Sequence, residues 1–452
     1  MKKKTARLIE MDKKHVWHPF TQMKEWDAST PVVIERGKGN FLIDTEGNQY
    51  LDAVSSLWVT VHGHRKPAID RAIKAQLGKI AHSTLLGLGN SPSIELARML
   101  VDIATKGLTK VFYSDNGSTA VEIALKLAFQ YWEQSAQKNS RKKFVAFTGA
   151  YHGDTFGSMS VGEIDIFVDK YRPLLFDVYR APYPYCYRCP AGKPGPENCG
   201  LECLSELEGV LKKHGPEIAA CVIEPMIEGA SGMITSPPGF LKGVRELTKE
   251  YGALLIADEV ATGFGRTGTM FACEHEGVYP DILCLAKGLT GGYMPLAATL
   301  TSQKIFDAFL GDYDEFKAFF HGHTYTGNPL GCAAAIANIE VFRKERTIEK
   351  IQPKIRLLKK LLENFKALEH VGDVRQQGLM VGIELVKSRA TKEPFHPRER
   401  LGHRVAMEAR AMGVMIRPLG DTVVIMPPLG IKDSELRKIT GAVYDCIKKA
   451  TA

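Results

Sequence analysis

The chain is bounded first by what it lacks. No apolar run reaches the roughly 20 residues that a membrane-spanning helix needs, so a transmembrane helix is not expected. The basic start, MKKKTARLIEMDKKH, is not followed by an apolar core and does not read as a secretory signal, so a cytoplasmic protein is expected. Nine cysteines cannot all pair, which argues against a complete disulfide framework and for reduced thiols. No internal repeat, low-complexity tract or long linker appears, so solenoid and disordered classes drop out. Neither sign of charge dominates. Lys plus Arg at 59 against Asp plus Glu at 51 leaves +8, spread along the chain, which suits anionic small molecules better than nucleic acid or a membrane surface.

What remains is a chain of 452 residues, 44% hydrophobic and 24% charged, of a length for two or three domains with sizeable cores. Four cysteines, Cys186, Cys189, Cys199 and Cys203, cluster at a spacing close to that of a zinc ribbon. A metal site and a cysteine-rich surface loop are both readings of that spacing; the loop is the simpler one, and no metal ligand is assigned.

Residues 251–295 organise the rest. Two short apolar runs, 253–257 and 282–286, lead into Asp258 and Lys287. Runs this short and this apolar suit strands buried on both faces of a parallel sheet, where ligands sit beyond the carboxyl ends. Alone, Asp258 reads as a helix cap and Lys287 as a solvated charge. Together they place an acid and an amine on one rim, with Gly263, Gly265 and Gly268 between them and Gly288, Gly291 and Gly292 after the lysine. That is what pyridoxal phosphate chemistry requires: an amine for the aldehyde and an acid to keep the ring nitrogen protonated. The run from Asp258-Glu259-Val260 through Gly263-Phe264-Gly265-Arg266-Thr267-Gly268 to Lys287-Gly288 resembles the signature of the class III, or ω-, aminotransferases.

That resemblance implies an α/β protein of the fold type I pyridoxal-phosphate transferases. It implies a large domain with a mostly parallel seven-stranded sheet flanked by helices, plus a smaller α+β domain. The expected division is a segment at 1–60 packing with the small domain, a large domain at 61–335 and a small domain at 336–452. Within the large domain, an apolar strand at 111–113, then Asn116-Gly117-Ser118, then a helix pattern at 119–132 form an anion site on their own terms. The resemblance makes Gly117 and Ser118 the cradle of the cofactor phosphate. It also places Tyr151 over the pyridine ring, Trp58 at the substrate, and His323 and Thr324 on a loop that completes the partner's phosphate site in a homodimer. Glu224 ends a strand at 219–223; a carboxylate there lies near the cofactor or orients a neighbour. Residues 296–300 read as a strand reversing direction at the sheet edge.

A narrower resemblance covers nearly the whole chain. HPFTQM at 18–23, WVTVHGH at 58–64, HST at 82–84, YHGDT at 151–155, HGHTY at 321–325 and RPLG at 417–420 are similar to the branch of the family that aminates 8-amino-7-oxononanoate to 7,8-diaminononanoate in biotin synthesis. It implies a substrate site of Phe20, Trp58, Tyr151, Lys287, Gly322 and Arg417, with Arg417 holding the far carboxylate. The donor stays open between S-adenosylmethionine and lysine. Phe20 stands where adenosyl users tend to carry Tyr, and Val424 where they tend to carry an aromatic. Other ω-aminotransferases, an aminomutase and a metal-bearing binding module are the rival readings.

Overall fold

The apolar runs form the sheet they suggest. In the computed structural model, which describes all residues except 136–140, 194 and 196–198, seven strands lie side by side in the order Leu108–Ser114, Ala297–Ser302, Ile282–Leu285, Leu254–Asp258, Ile218–Ile223, Lys143–Phe147 and Val178–Ala181. All neighbours pair in parallel except Ala297–Ser302, which runs antiparallel to both strands beside it; it reverses direction as expected but is not at the sheet edge, because Leu108–Ser114 pairs on its outer side.

Both faces of this sheet are covered, which explains the unbroken apolar runs. Alternate residues point to opposite sides, so Leu255, Ala257, Leu283 and Leu285 pack in one core with Leu207, Phe240 and Val244. Leu254, Ile256, Ile282 and Cys284 pack on the other side with Ala120, Ala124 and Tyr131 of the helix Gly117–Gln134.

Three smaller sheets complete the chain. A hairpin around Gly39 pairs Ile34–Lys38 with Phe41–Asp44; Gln49–Asp52 follows, and Val414–Met415 joins it in parallel from the far end of the sequence. The hairpin Val371–Gln377 with Met380–Leu385 extends through Thr422–Ile425 to Arg417–Leu419. A two-stranded ribbon pairs Ile227–Glu228 with Ile234–Thr235.

The basic start forms a helix at Lys3–His15, whose buried Thr5 and Ile9 anchor it. A helix at Thr347–Leu362 carries Pro353 inside it and ends in a 3₁₀ turn at Glu363–Ala367. Its apolar stripe overrides the usual reading of proline as a break.

One local structure runs against propensity. Ser55, Ser56, Leu57 and Trp58 have φ of 50°, 47°, 67° and 71°, four consecutive non-glycine residues in a left-handed turn. Each such residue costs about 1–2 kcal/mol relative to a right-handed one. The N–H of Trp58 donates to the Val54 carbonyl at 2.9 Å and that of Val59 to the Ser55 carbonyl at 3.0 Å.

No helix among the described residues is long and apolar enough to cross a membrane. All nine cysteines are unpaired, and among the described residues no group of three or more His, Cys, Asp or Glu side chains is placed to hold a metal.

Candidate active site

Adjacent parallel strands deliver the acid and the amine. Asp258 lies in register with Cys284, and the chain leaving the second strand turns at once through Lys287–Thr290. Asp258 and Lys287 line one cavity of about 720 Å³, together with Trp58, Gly117, Ser118 and Tyr151. Lys287 itself sits at φ 41°, in the left-handed region. The turn is held from the helix Pro329–Glu345, where buried Asn338 donates from Nδ2 to the carbonyls of Gly288 at 2.9 Å and Leu289 at 3.0 Å. The Lys287 ammonium lies 4.7 Å from the centre of the Trp58 ring. Burial lowers the lysine's pKa; Asp258 and Glu224 oppose this, and the Arg266 charge adds to it. A buried amine biased toward its neutral form is a nucleophile and a base.

Asp258 is fixed from two sides. Its Oδ1 accepts from the Val260 N–H at 3.0 Å, and its Oδ2 accepts from Nδ1 of the buried His152 at 2.7 Å. Glu224 lies in the same cavity wall and accepts from the N–H groups of Tyr151 and Gly229, each at 3.1 Å. Burial pushes Glu224 up to about 7, with the nearby Asp258 charge adding and His152 opposing. Tyr151 donates its hydroxyl to Asp154 at 2.9 Å, which sets the ring's direction.

Opposite this end, the helix Gly117–Gln134 points its N-terminus into the cavity. Asn116 caps it by accepting from the Thr119 N–H at 3.0 Å. The N–H groups of Gly117 and Ser118, which have no acceptor within the helix, are left facing the cavity with the positive end of the dipole. The Ser118 hydroxyl accepts from the Thr155 N–H at 3.0 Å. Gly153, at φ 119°, passes so close that a Cβ there would meet Ser118 Oγ at 2.2 Å, so the wall of the cradle requires glycine.

The structure therefore brings Gly117, Ser118, Tyr151, Asp258, Lys287 and Trp58 together. Phe20 and Arg417 line a second hollow of about 880 Å³, into which Val54 and Leu57 also face. Phe20 reaches the first cavity through rings: its centre is 5.1 Å from that of Phe167, which is 5.8 Å from that of Tyr151. Arg417 is exposed and makes no hydrogen bond or ion pair among the described residues. Gly322, His323 and Thr324 lie on a loop that does not line this chain's own cavity.

Three contributors were not assigned from sequence: His152, Asn338 and Arg266. His152 had a signal, since it follows Tyr151 past a strand tip. Asn338 and Arg266 had none beyond their motifs, because their partners are distant in the chain. The donor set fits pyridoxal 5′-phosphate: an anion cradle of helix N–H groups, an aromatic wall, a carboxylate for a protonated ring nitrogen and an amine for an aldehyde.

Residues 22–447 match the family described as aminotransferase class-III. The chain is similar to the adenosylmethionine-8-amino-7-oxononanoate aminotransferase of Nitratidesulfovibrio vulgaris, 57% identical over 449 residues that cover 99% of this chain and 83% of that one. It is 56% identical over 447 residues to the protein of the same name from Geobacter sulfurreducens, covering 99% and 98%. The solved structure of adenosylmethionine-8-amino-7-oxononanoate aminotransferase from Methanocaldococcus jannaschii aligns with a TM-score of 0.94 at 50% identity, covering 98% of this chain and 99% of that one.

Proposed function

This chain belongs to the aminotransferase class-III family, a pyridoxal-phosphate-dependent family, and from that premise we propose that it aminates 8-amino-7-oxononanoate to 7,8-diaminononanoate in biotin biosynthesis. One observation carries the chemistry: a lysine and a carboxylate from adjacent strand ends line the same cavity as the N-terminus of a long helix. Bound there, pyridoxal 5′-phosphate supplies an aldehyde that accepts and returns the amino group, and a ring that draws electrons from the substrate carbon.

The residues divide the work. Gly117 and Ser118 hold the phosphate by backbone N–H groups and hydroxyl. Asp258, braced by His152, would hold the ring nitrogen in its protonated form. Lys287 would hold the aldehyde and, as a free amine, would serve as the proton-transfer base. Tyr151 and Trp58 flank the flat ring and the substrate chain. Donor and acceptor use the same cavity in turn, which gives ping-pong kinetics. Arg417, exposed and unpartnered beside Phe20, grips the acceptor's carboxylate.

The relatives' name supports S-adenosylmethionine as donor. Lysine is the second reading, and it rests on Phe20 and on Val424, which is buried in the Trp58 cluster and stands in register with Arg417. Amine exchange with 8-amino-7-oxononanoate, run with each donor, tests both parts. The reading expects product with one donor and none after Lys287→Ala; no product with either donor overturns the substrate.

The active unit is proposed as a homodimer in the cytoplasm, with Gly322, His323 and Thr324 completing the partner's site. Support comes from the exposed aromatics Tyr313, Phe316, Phe320 and Tyr325 on the segment around them and from the nine unpaired cysteines. The three-part division at about residues 60 and 335 is part of the same proposal.

A further inference from the structure

The left-handed turn at Ser55–Trp58 stands between the two hollows. Trp58 faces the cavity of Lys287, and Leu57 faces the hollow of Arg417. Four non-glycine residues at positive φ do not hold that shape by themselves. Two groups bind it from outside. Asp52 accepts from the Ser56 N–H at 2.9 Å and from the Ser56 hydroxyl at 2.7 Å. Arg266, only 1% exposed, donates from Nη1 to the Ser55 hydroxyl at 3.1 Å and the Pro427 carbonyl at 2.9 Å. From Nη2 it donates to the carbonyls of Trp58 at 3.2 Å and Thr60 at 3.0 Å. One guanidinium thus holds both ends of the turn and the strand exit at Pro427.

The same turn touches the lysine loop. Gly292, at φ 88°, packs so closely that a Cβ there would lie 3.0 Å from the Thr60 backbone, and the Val61 N–H donates to the Gly291 carbonyl at 3.3 Å. A shift of the turn would therefore move Trp58 away from Lys287 as well as from the substrate chain.

We infer that Arg266 is a positioning residue. It clamps a strained left-handed turn so that the Trp58 ring is held between the lysine and the path to Arg417, and it thereby sets specificity for a long-chain acceptor. The charge that crosses the buried space to do this stays on: burial lowers Arg266 only to about 10. The substrate part of this inference rests on the function proposed above; the Trp58 part does not.

The test uses the holoenzyme with Arg266→Gln, and with Arg266→Gln combined with Leu57→Gly, since glycine removes the strain that the clamp offsets. The first readout is near-ultraviolet circular dichroism of Trp58, defined by subtracting Trp58→Phe. The second is KM and kcat for 8-amino-7-oxononanoate beside the rate with propanal, too short to span the wall. The inference expects Arg266→Gln to keep the visible absorption of the bound cofactor and to lose the Trp58 signal. It expects KM for the oxo acid to rise about tenfold or more, well beyond any change in kcat or in the propanal rate. Leu57→Gly then restores part of both. An unchanged Trp58 signal, or equal losses with both substrates and no recovery in the double variant, overturns it. If Arg266→Gln does not fold, Ser55→Ala removes one contact of the clamp and is expected to give a smaller shift in the same direction; no shift there also overturns it. If the parent enzyme does not use the oxo acid, the proposed function fails, while the circular dichroism and its rescue still judge Arg266.

Discussion

Lys287 and Asp258 do different jobs, and their replacement separates them. Lys287→Ala removes the only lysine among the described residues that line the cavity and is expected to lower kcat by roughly 10²–10⁴, the range for losing a proton-transfer group, as followed by product formation. Asp258→Asn keeps the hydrogen bond from Val260 but loses the charge. A fall of similar order is expected, with the cofactor binding more weakly; full activity in either variant contradicts the assignment.

Two buried glutamates make stability depend on pH. Glu224 and Glu259 are each pushed up from 4.5 to about 7, first of all by burial. Between those values the folded chain holds protons that the unfolded chain has released. Their contribution is fully present below about pH 4.5 and is lost as pH rises through 7. The unfolding free energy of the cofactor-free protein, read by urea titration, should therefore fall over that window, and that of Glu224→Gln should fall less by ~1–3 kcal/mol. Equal slopes for the two proteins would show that Glu224 is not held neutral.

At the scale of elements, the helix Pro329–Glu345 acts on the catalytic turn through Asn338. Asn338→Ala leaves the Leu289 carbonyl buried without a donor and the Gly288 carbonyl with the Gly291 N–H alone, at a cost of about 1–3 kcal/mol in thermal or denaturant unfolding. It should also slow the reaction, because the turn that aims Lys287 is loosened. What was legible in sequence follows the same scale. Asp258, Lys287, Gly117 and Ser118 were readable because each sits at the end of a run whose type is set locally: a two-faced strand or a helix start. Ser55–Trp58 was not, since no propensity favours four left-handed non-glycine residues; the shape comes from Arg266, about 210 residues away in the chain. His152 was visible as a motif residue, but its bond to Asp258 spans 106 positions.

At the scale of the whole molecule, the loop of His323 and Thr324 decides whether one chain suffices. Those residues do not reach their own cavity, which the proposed homodimer explains. Mixing unfolded Lys287→Ala and Thr324→Ala proteins and refolding them together tests this. If the loop serves the partner, half the dimers are hybrids with one intact site each, and about a quarter of wild-type activity returns. If it serves its own chain, every site carries a lesion and no activity returns.

The central claim is that Lys287 is the amine that meets the cofactor, in the cavity it shares with Asp258 and the Gly117 helix. Borohydride reduction of the holoenzyme, followed by proteolysis and mass spectrometry, reads this directly. The structure predicts one pyridoxyl phosphate per chain, on the peptide containing Lys287. Label on any other lysine, or none on Lys287 in an active preparation, would contradict it.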